Sequence, residues 1–314
     1  MEGRGTTAAS SVFIAGHAVV DEIIDAPLQK IPRLELGGAL CYSALVLKSL
    51  GYETEIVTRV GEDFPRKYSR FLLSDAGIDI EEWRTKNQRT TRYRIDRSGM
   101  EKRLWLLSKC SDLTFSDFKR AFDDVSQSLP KILILNPVAG EISMQLLKRV
   151  SKEFEHVFLD SQGFTRTFEE KTGLVSMKTG LDISSLAGVD FLKADVDELY
   201  AWTGIDDKQR AIVQLSTFVD NLIITSGGSG VELYKQGILS FRSTPLKVDV
   251  KDTTGAGDIM LASFAGHFLE TNSLKESLEF ATAASSLAVE KIGIRKAVLA
   301  RERIMEEQKK ARIE

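Results

Sequence analysis

The chain has 314 residues, 43% of them hydrophobic and 28% charged, enough apolar material for a large core, and one large domain with an appendage suits that length better than two equal domains. Its 42 basic and 45 acidic residues leave a net charge of -3, and their interspersion along the chain argues against a nucleic-acid-binding surface. Cys41 and Cys110 lie far apart, and His17, His156 and His267 are scattered, which excludes a zinc-type ligand spacing and points to thiols in a reducing compartment, with a single bridge between the two cysteines as the alternative.

Residues 1–11 are small and polar, without the apolar run of a signal sequence. The longest apolar run, about 259–269, is too short and too interrupted to cross a bilayer. The expectation is a soluble cytoplasmic protein with no membrane partner. In chain order, apolar runs of strand length alternate with helical patterns: a strand at 12–15, a helix at 38–50, strands at 55–58 and 132–136, a helix from Glu141, strands at 157–160 and 189–193, a helix from Asp197, a strand at 222–225 and two C-terminal helices. That alternation predicts an α/β fold, a central mainly parallel sheet with helices on both faces, whose ligands bind at the carboxyl ends of the strands. One segment breaks it. Residues 90–95 and 102–107, joined by a turn at 96–99, read as a β-hairpin.

Near the C-terminus, residues 252–258 read Asp-Thr-Thr-Gly-Ala-Gly-Asp and run directly into an apolar helix. Gly255 and Gly257 flanking Ala256 allow a tight turn with exposed N–H groups, and the following helix adds its positive end, so an anion is expected there. Asp258 falls in the first helical turn, placed to take a proton from a hydroxyl beside a bound phosphoryl group. The competing reading is an ordinary glycine loop with Asp258 as a capping carboxylate. The run at 225–230, Thr-Ser-Gly-Gly-Ser-Gly, follows an apolar strand but lacks the lysine of a P-loop.

The string at 252–258 resembles the C-terminal signature of the ribokinase-like, or PfkB, family of carbohydrate and nucleoside kinases, and other segments agree with it in order from about residue 12 to about 293. The resemblance implies one ribokinase-like kinase domain over 1–314, a three-layer αβα sandwich, with a small β lid formed by about 17–32 and 88–108. It also implies ATP and Mg²⁺, and a sugar, polyol or nucleoside as acceptor. Within it, Asp21 in Gly16-His17-Ala18-Val19-Val20-Asp21 hydrogen-bonds substrate hydroxyls, and Gly37-Gly38 let the backbone approach the ligand. Thr225, Gly227, Gly228 and Gly230 lie against the nucleotide, with Thr254 nearby. Glu198, with Asp195 in place of the family's Asn, helps hold the water shell of Mg²⁺, against the reading that acids simply favour a helix start. Asp252, beside 290–293, lies where some relatives hold an activating monovalent cation such as K⁺. Small residues at 281–286 would leave room for adenine or serve close packing.

Two departures bear on the acceptor. Tyr42 stands where the commonest pattern has an Asn, against a typical ribokinase or fructokinase pocket. The string Asp160-Ser161-Gln162-Gly163-Phe164-Thr165-Arg166 looks like one of an inositol-kinase-like subgroup, with Arg166 reaching a phosphoryl oxygen or lying on the surface. A cyclitol such as myo-inositol is therefore preferred, with a nucleoside as the alternative, its base shelved on Tyr42, Tyr93 or Trp105. A non-catalytic sugar- or nucleotide-binding regulator on the same fold, and a homodimer through the lid, complete the set of readings.

Overall fold

The computed structural model describes residues 12–99, 101–123 and 131–310; the expectation for 1–11 lies outside them. Six parallel strands form the body of the main sheet, in the spatial order Asn221–Thr225, Phe191–Asp195, His156–Asp160, Ile132–Leu135, Val12–Ala15 and Thr54–Val57. Val231–Lys235 and Ile238–Ser243 extend it antiparallel beyond Asn221–Thr225. The parallel strands read as unbroken apolar runs because both of their faces are covered by helices. On one face Phe158 and Phe191 stack at 4.3 Å, and Phe264 and Phe268 of the helix Ala256–Thr271 pack on them. Each such ring contributes about 1.5–3 kcal/mol by leaving water, so this helix, and the loop at its N-terminus, is anchored rigidly to the sheet. The helix Leu274–Ala288 packs alongside it, and its small residues at 281–284 are buried.

A separate four-stranded sheet runs in the order Arg33–Gly37, Val19–Ile24, Arg92–Asp96 and Arg103–Ser108, and its Asp21, Tyr93 and Ile95 line one cavity with Lys193 and Asp195 of the main sheet. The hairpin expected at 90–107 forms its second half. Its first half runs past residue 32 to Gly37, because Val19 pairs with Gly37 and Asp21 with Glu35 in antiparallel register. Val19, Ala39, Tyr93, Val138 and Ala139 make the small apolar cluster that joins it to the body.

Most boundaries of the main sheet and its helices differ from the sequence reading by a residue or so, and two differ by more. The helix expected from Glu141 begins at Met144, capped by the Ser143 hydroxyl; the wholly buried Glu141 carboxylate instead accepts from the amides of His17, Val138 and Ala139. The strand expected at 189–193 is shifted to Phe191–Asp195, since Asp190 turns its carboxylate to the amide of Val157 and the register with Asn221–Thr225 starts one residue later. The helix expected at 38–50 spans Ala39–Ser49. Both cysteines are free and buried. Among the described residues no helix is long and apolar enough to cross a membrane.

Candidate active site

The loop before the helix Ala256–Thr271 is built as the glycines require. Gly255 caps the helix at φ 77°, and a Cβ there would meet the Tyr42 ring at 2.6 Å. Left-handed backbone and an aromatic ring at contact distance together leave room for no side chain. The amide of Ala256 is already turned to the carbonyl of Thr253 at 3.1 Å. The first-turn N–H groups that follow, at Gly257 and Asp258, face out of the helix N-terminus with its partial positive charge.

Asp258 is buried at the floor of a cavity of about 320 Å³. Its Oδ1 accepts from Gln162 Nε2 at 3.1 Å. Beneath it, Lys193 Nζ bonds Asp160 Oδ2 at 2.9 Å, with both side chains almost wholly out of solvent. Burial, reinforced by the negative charge of Asp160, raises the Asp258 carboxyl to about 6, while Lys193 and Arg166 oppose the rise. Burial alone would lower Lys193; the charges of Asp160, Glu198 and Asp258 outweigh it and hold this ammonium above the ordinary lysine range. Lys193 is therefore a fixed cation under a carboxylate poised near neutrality.

Asp21 lines the same cavity from the small sheet. It lies against Gly37, where a Cβ would fall 1.9 Å from its Oδ2. Burial raises its carboxyl to about 7 against the pull of Lys102, Arg166 and Arg97. Arg166, the first residue of the short strand Arg166–Phe168, donates to the Val138 carbonyl at 3.3 Å and sits 5.9 Å from the Tyr93 ring centre. The Tyr93 hydroxyl donates to the same carbonyl at 2.6 Å. Gly38 and Tyr42 complete this side of the cavity.

Asp195 and Glu198 also line it. They form a capping box: Asp195 Oδ1 accepts from the Glu198 amide at 2.7 Å, and Glu198 Oε2 accepts from the Asp195 amide at 3.0 Å and from the Ser161 hydroxyl at 2.6 Å. Burial raises the Glu198 carboxyl, partly offset by Lys193. Each carboxylate retains a second oxygen outside the box, which fits a hydrated Mg²⁺ bound through one or two carboxylates. The capping and metal readings of this pair thus coexist.

Other expected residues lie further off. Thr225 pairs with Asp195 in parallel register, so the turn with Gly227, Gly228 and Gly230 emerges beside Asp195 at the carboxyl edge, outside the lining of the Asp258 cavity. Thr254 lines the cavity and accepts from Arg97 Nη2 at 2.5 Å. Asp252 lies behind it. Burial would raise its carboxyl, but hydrogen bonds from the Lys296 ammonium and the Thr254 amide, with the charge of Lys296, bring it down to about 2. A second hollow, of about 220 Å³ beside the strand Thr54–Val57, holds none of these residues.

Sequence reasoning passed over Asp160, Gln162, Lys193 and Lys296. Gln162 and Asp160 stand within a string it singled out for Arg166 alone, so their polarity next to a strand end was a usable signal. Lys193 and Lys296 gave none, because their partners are 33 and 44 residues away.

The model of the pfkB family carbohydrate kinases matches residues 11–300. A ribokinase of Arabidopsis thaliana is 26% identical over 266 residues, covering 81% of this chain and 67% of that protein. Among solved structures, a pyrophosphate-dependent kinase in the ribokinase family, complexed with a pyrophosphate analog and myo-inositol, superposes with a TM-score of 0.75 at 20% identity over 94% of this chain and 99% of that one. Arabidopsis thaliana ribokinase complexed with ribose and ATP does so at 0.75 and 23% over 96% and 99%. With the match spanning both the anion cradle and the small sheet, the chain belongs to the pfkB family of carbohydrate kinases, phosphotransferases with a hydroxyl group as acceptor.

Proposed function

We propose that this protein transfers the γ-phosphoryl group of ATP to a hydroxyl of a small polyol, a cyclitol such as myo-inositol ahead of a simple hexose. The observation that carries the reading is a single cavity with Asp258 at the helix N-terminus on one side and Asp21 on the other. Asp21, accepting hydroxyl hydrogen bonds, orients the acceptor. Asp258 takes the proton of the attacking hydroxyl, whose oxygen forms the new bond to the γ-phosphorus as the bond to the β-phosphate oxygen breaks and ADP leaves. First-turn amides of the helix, with Gly255 shaping the turn, stabilise the equatorial oxygens. Arg166 and the Lys193 ammonium offset the charge that gathers there.

Asp195 and Glu198 would hold Mg²⁺ through water, and the ion would neutralise charge on the donor phosphates. The turn at Thr225, Gly227, Gly228 and Gly230, beside Asp195, suits the nucleotide's more distant phosphates and ribose, with Thr254 nearer the transferred group. The reading treats the chain as one kinase domain with the small sheet as its lid. Pairing of two copies through that sheet, near exposed Leu28 and Ile31, belongs to it and is tested by sedimentation equilibrium.

The cyclitol preference rests on the string 160–166 and on Tyr42 standing where an Asn is commonest. Tyr42 and Tyr93 are buried and engaged, which speaks against their serving as a nucleoside shelf. Donor consumption with Mg-ATP, and separately with Mg-pyrophosphate, is to be measured against myo-inositol, ribose, fructose, cytidine, inosine, guanosine and adenosine, with the Asp258→Asn variant in parallel. The expected result is turnover with a polyol that falls by about 10³-fold or more in the variant. A folded Asp258→Asn protein with full turnover would overturn the base assignment; turnover with a nucleoside alone would overturn the acceptor class.

A further inference from the structure

The loop that feeds the anion cradle is held by a charge belonging to the chain itself. Lys296, on the short helical turn Ile294–Ala297, is wholly buried. Its Nζ donates to Asp252 Oδ2 at 2.8 Å and to the Asp252 main-chain carbonyl at 2.9 Å. A carboxylate oxygen and a carbonyl oxygen on one residue are the hard donors that a monovalent cation would need. Here an ammonium already lies between them. The other oxygen, Oδ1, accepts from the Thr254 amide at 3.0 Å and stands 3.5 Å from the Arg97 guanidinium. A K⁺ ion on these oxygens would therefore meet two fixed positive charges at close range and would have to displace one of them. The residues present do not fit the ion.

We infer that Lys296 is an internal substitute for a monovalent activator, and that this kinase works without K⁺. Its ammonium ties the C-terminal turn to Asp252, whose Oδ1 in turn orients the Thr254 amide one residue before Gly255. It also stands 5.9 Å from the centre of the Tyr42 ring that backs Gly255. Lys296 thus acts on the cradle from behind, as a positioning residue.

The inference rests on the kinase reading only where turnover is measured, so melting temperature is recorded beside it. Wild-type protein is compared in KCl, NaCl and choline chloride at equal ionic strength. Equal turnover and equal melting temperature in all three are expected; a tenfold or greater stimulation by K⁺, or a melting temperature raised by K⁺ alone, would overturn the inference without any variant. Lys296→Met keeps most of the side-chain volume and removes the charge. It is expected to lose about 10²-fold in turnover, the scale of a displaced catalytic loop, with no recovery in K⁺. Lys296→Ala removes both charge and bulk, and K⁺ is expected to restore at least about tenfold of its turnover and to raise its melting temperature above that in choline. A folded Lys296→Met with wild-type turnover, or a folded Lys296→Ala indifferent to K⁺ in both readouts, overturns it. Absence of turnover with every acceptor would count against the kinase reading and leave the melting comparison to decide this one.

Discussion

Gly37→Ala isolates the contact between the small sheet and the acceptor side of the cavity. A Cβ at residue 37 would lie 1.9 Å from Asp21 Oδ2 and 2.6 Å from its Cγ, where ordinary contact begins at 3.4 Å. One of the two groups must give way by about 1.5 Å, the difference between those distances. Gly37 sits within a strand and outside the left-handed region, so its backbone accepts alanine, and the carboxylate is what moves. A displacement of 1 Å in a positioned group costs about 10²-fold in rate, so kcat/KM with the polyol acceptor should fall by at least about that factor. Overpacking costs about 1–3 kcal/mol, and in a chain of this size each kcal/mol lowers the melting temperature by only about 2–4 °C. The two readouts therefore separate. Steady-state kinetics on Asp21→Ala, Gly37→Ala and the double variant complete the cycle: with the carboxylate gone the new methyl has room, so the double variant should match Asp21→Ala within about twofold. A Gly37→Ala enzyme with kcat/KM within about threefold of wild type would refute the role given to Asp21.

Three further outcomes follow from the charges around Asp258. The acid limb of kcat/KM should lie between about 6 and about 7, the values to which burial raises Asp258 and Asp21: below it Asp258 holds a proton and cannot take another, so the rate falls with falling pH, and a limb near the ordinary carboxylate range would refute the base assignment. Lys193→Met removes a cation that holds the Asp258 pKa down and should move that limb to higher pH, read from the pH profile. It also strands a buried Asp160 and should cost about 3–5 kcal/mol in chemical denaturation, most of it recovered in the Lys193→Met, Asp160→Leu double variant; no recovery would show that the pair does not act as a unit. Arg166→Lys should raise the KM for the donor or acceptor more than it lowers the melting temperature, because a planar fork over Tyr93 is not replaced by an ammonium; unchanged kinetics would leave Arg166 a surface residue.

What could be read from the sequence was whatever is local. The cradle at 252–258 is a contiguous string at a loop-to-helix junction, the hairpin at 92–108 has its turn residues in place, and the acids at Asp195 and Glu198 are three residues apart at a helix start. In each case the partners lie within a few positions, so spacing alone fixes the geometry. The strand Phe191–Asp195 slipped by two residues in the reading because its start is decided by Asp190 reaching the Val157 amide, a contact across 33 residues.

The parts that tune the chemistry are all of this second kind. Lys193 is the middle residue of the strand Phe191–Asp195, where a lysine is out of place in an apolar run, and only the parallel pairing with His156–Asp160 sets it opposite Asp160. Once there, it cannot leave: its charge is matched by Asp160 within the sheet, and by Asp258 and Glu198 above it. A cavity holding several buried carboxylates and no such cation would repel a phosphoryl donor and protonate its own base. With Lys193 below, Arg166 to the side and a helix N-terminus at the floor, the same carboxylates stay close to neutrality and available. The anion-binding string therefore marks where chemistry takes place, while residues that no motif contains decide at what pH it runs.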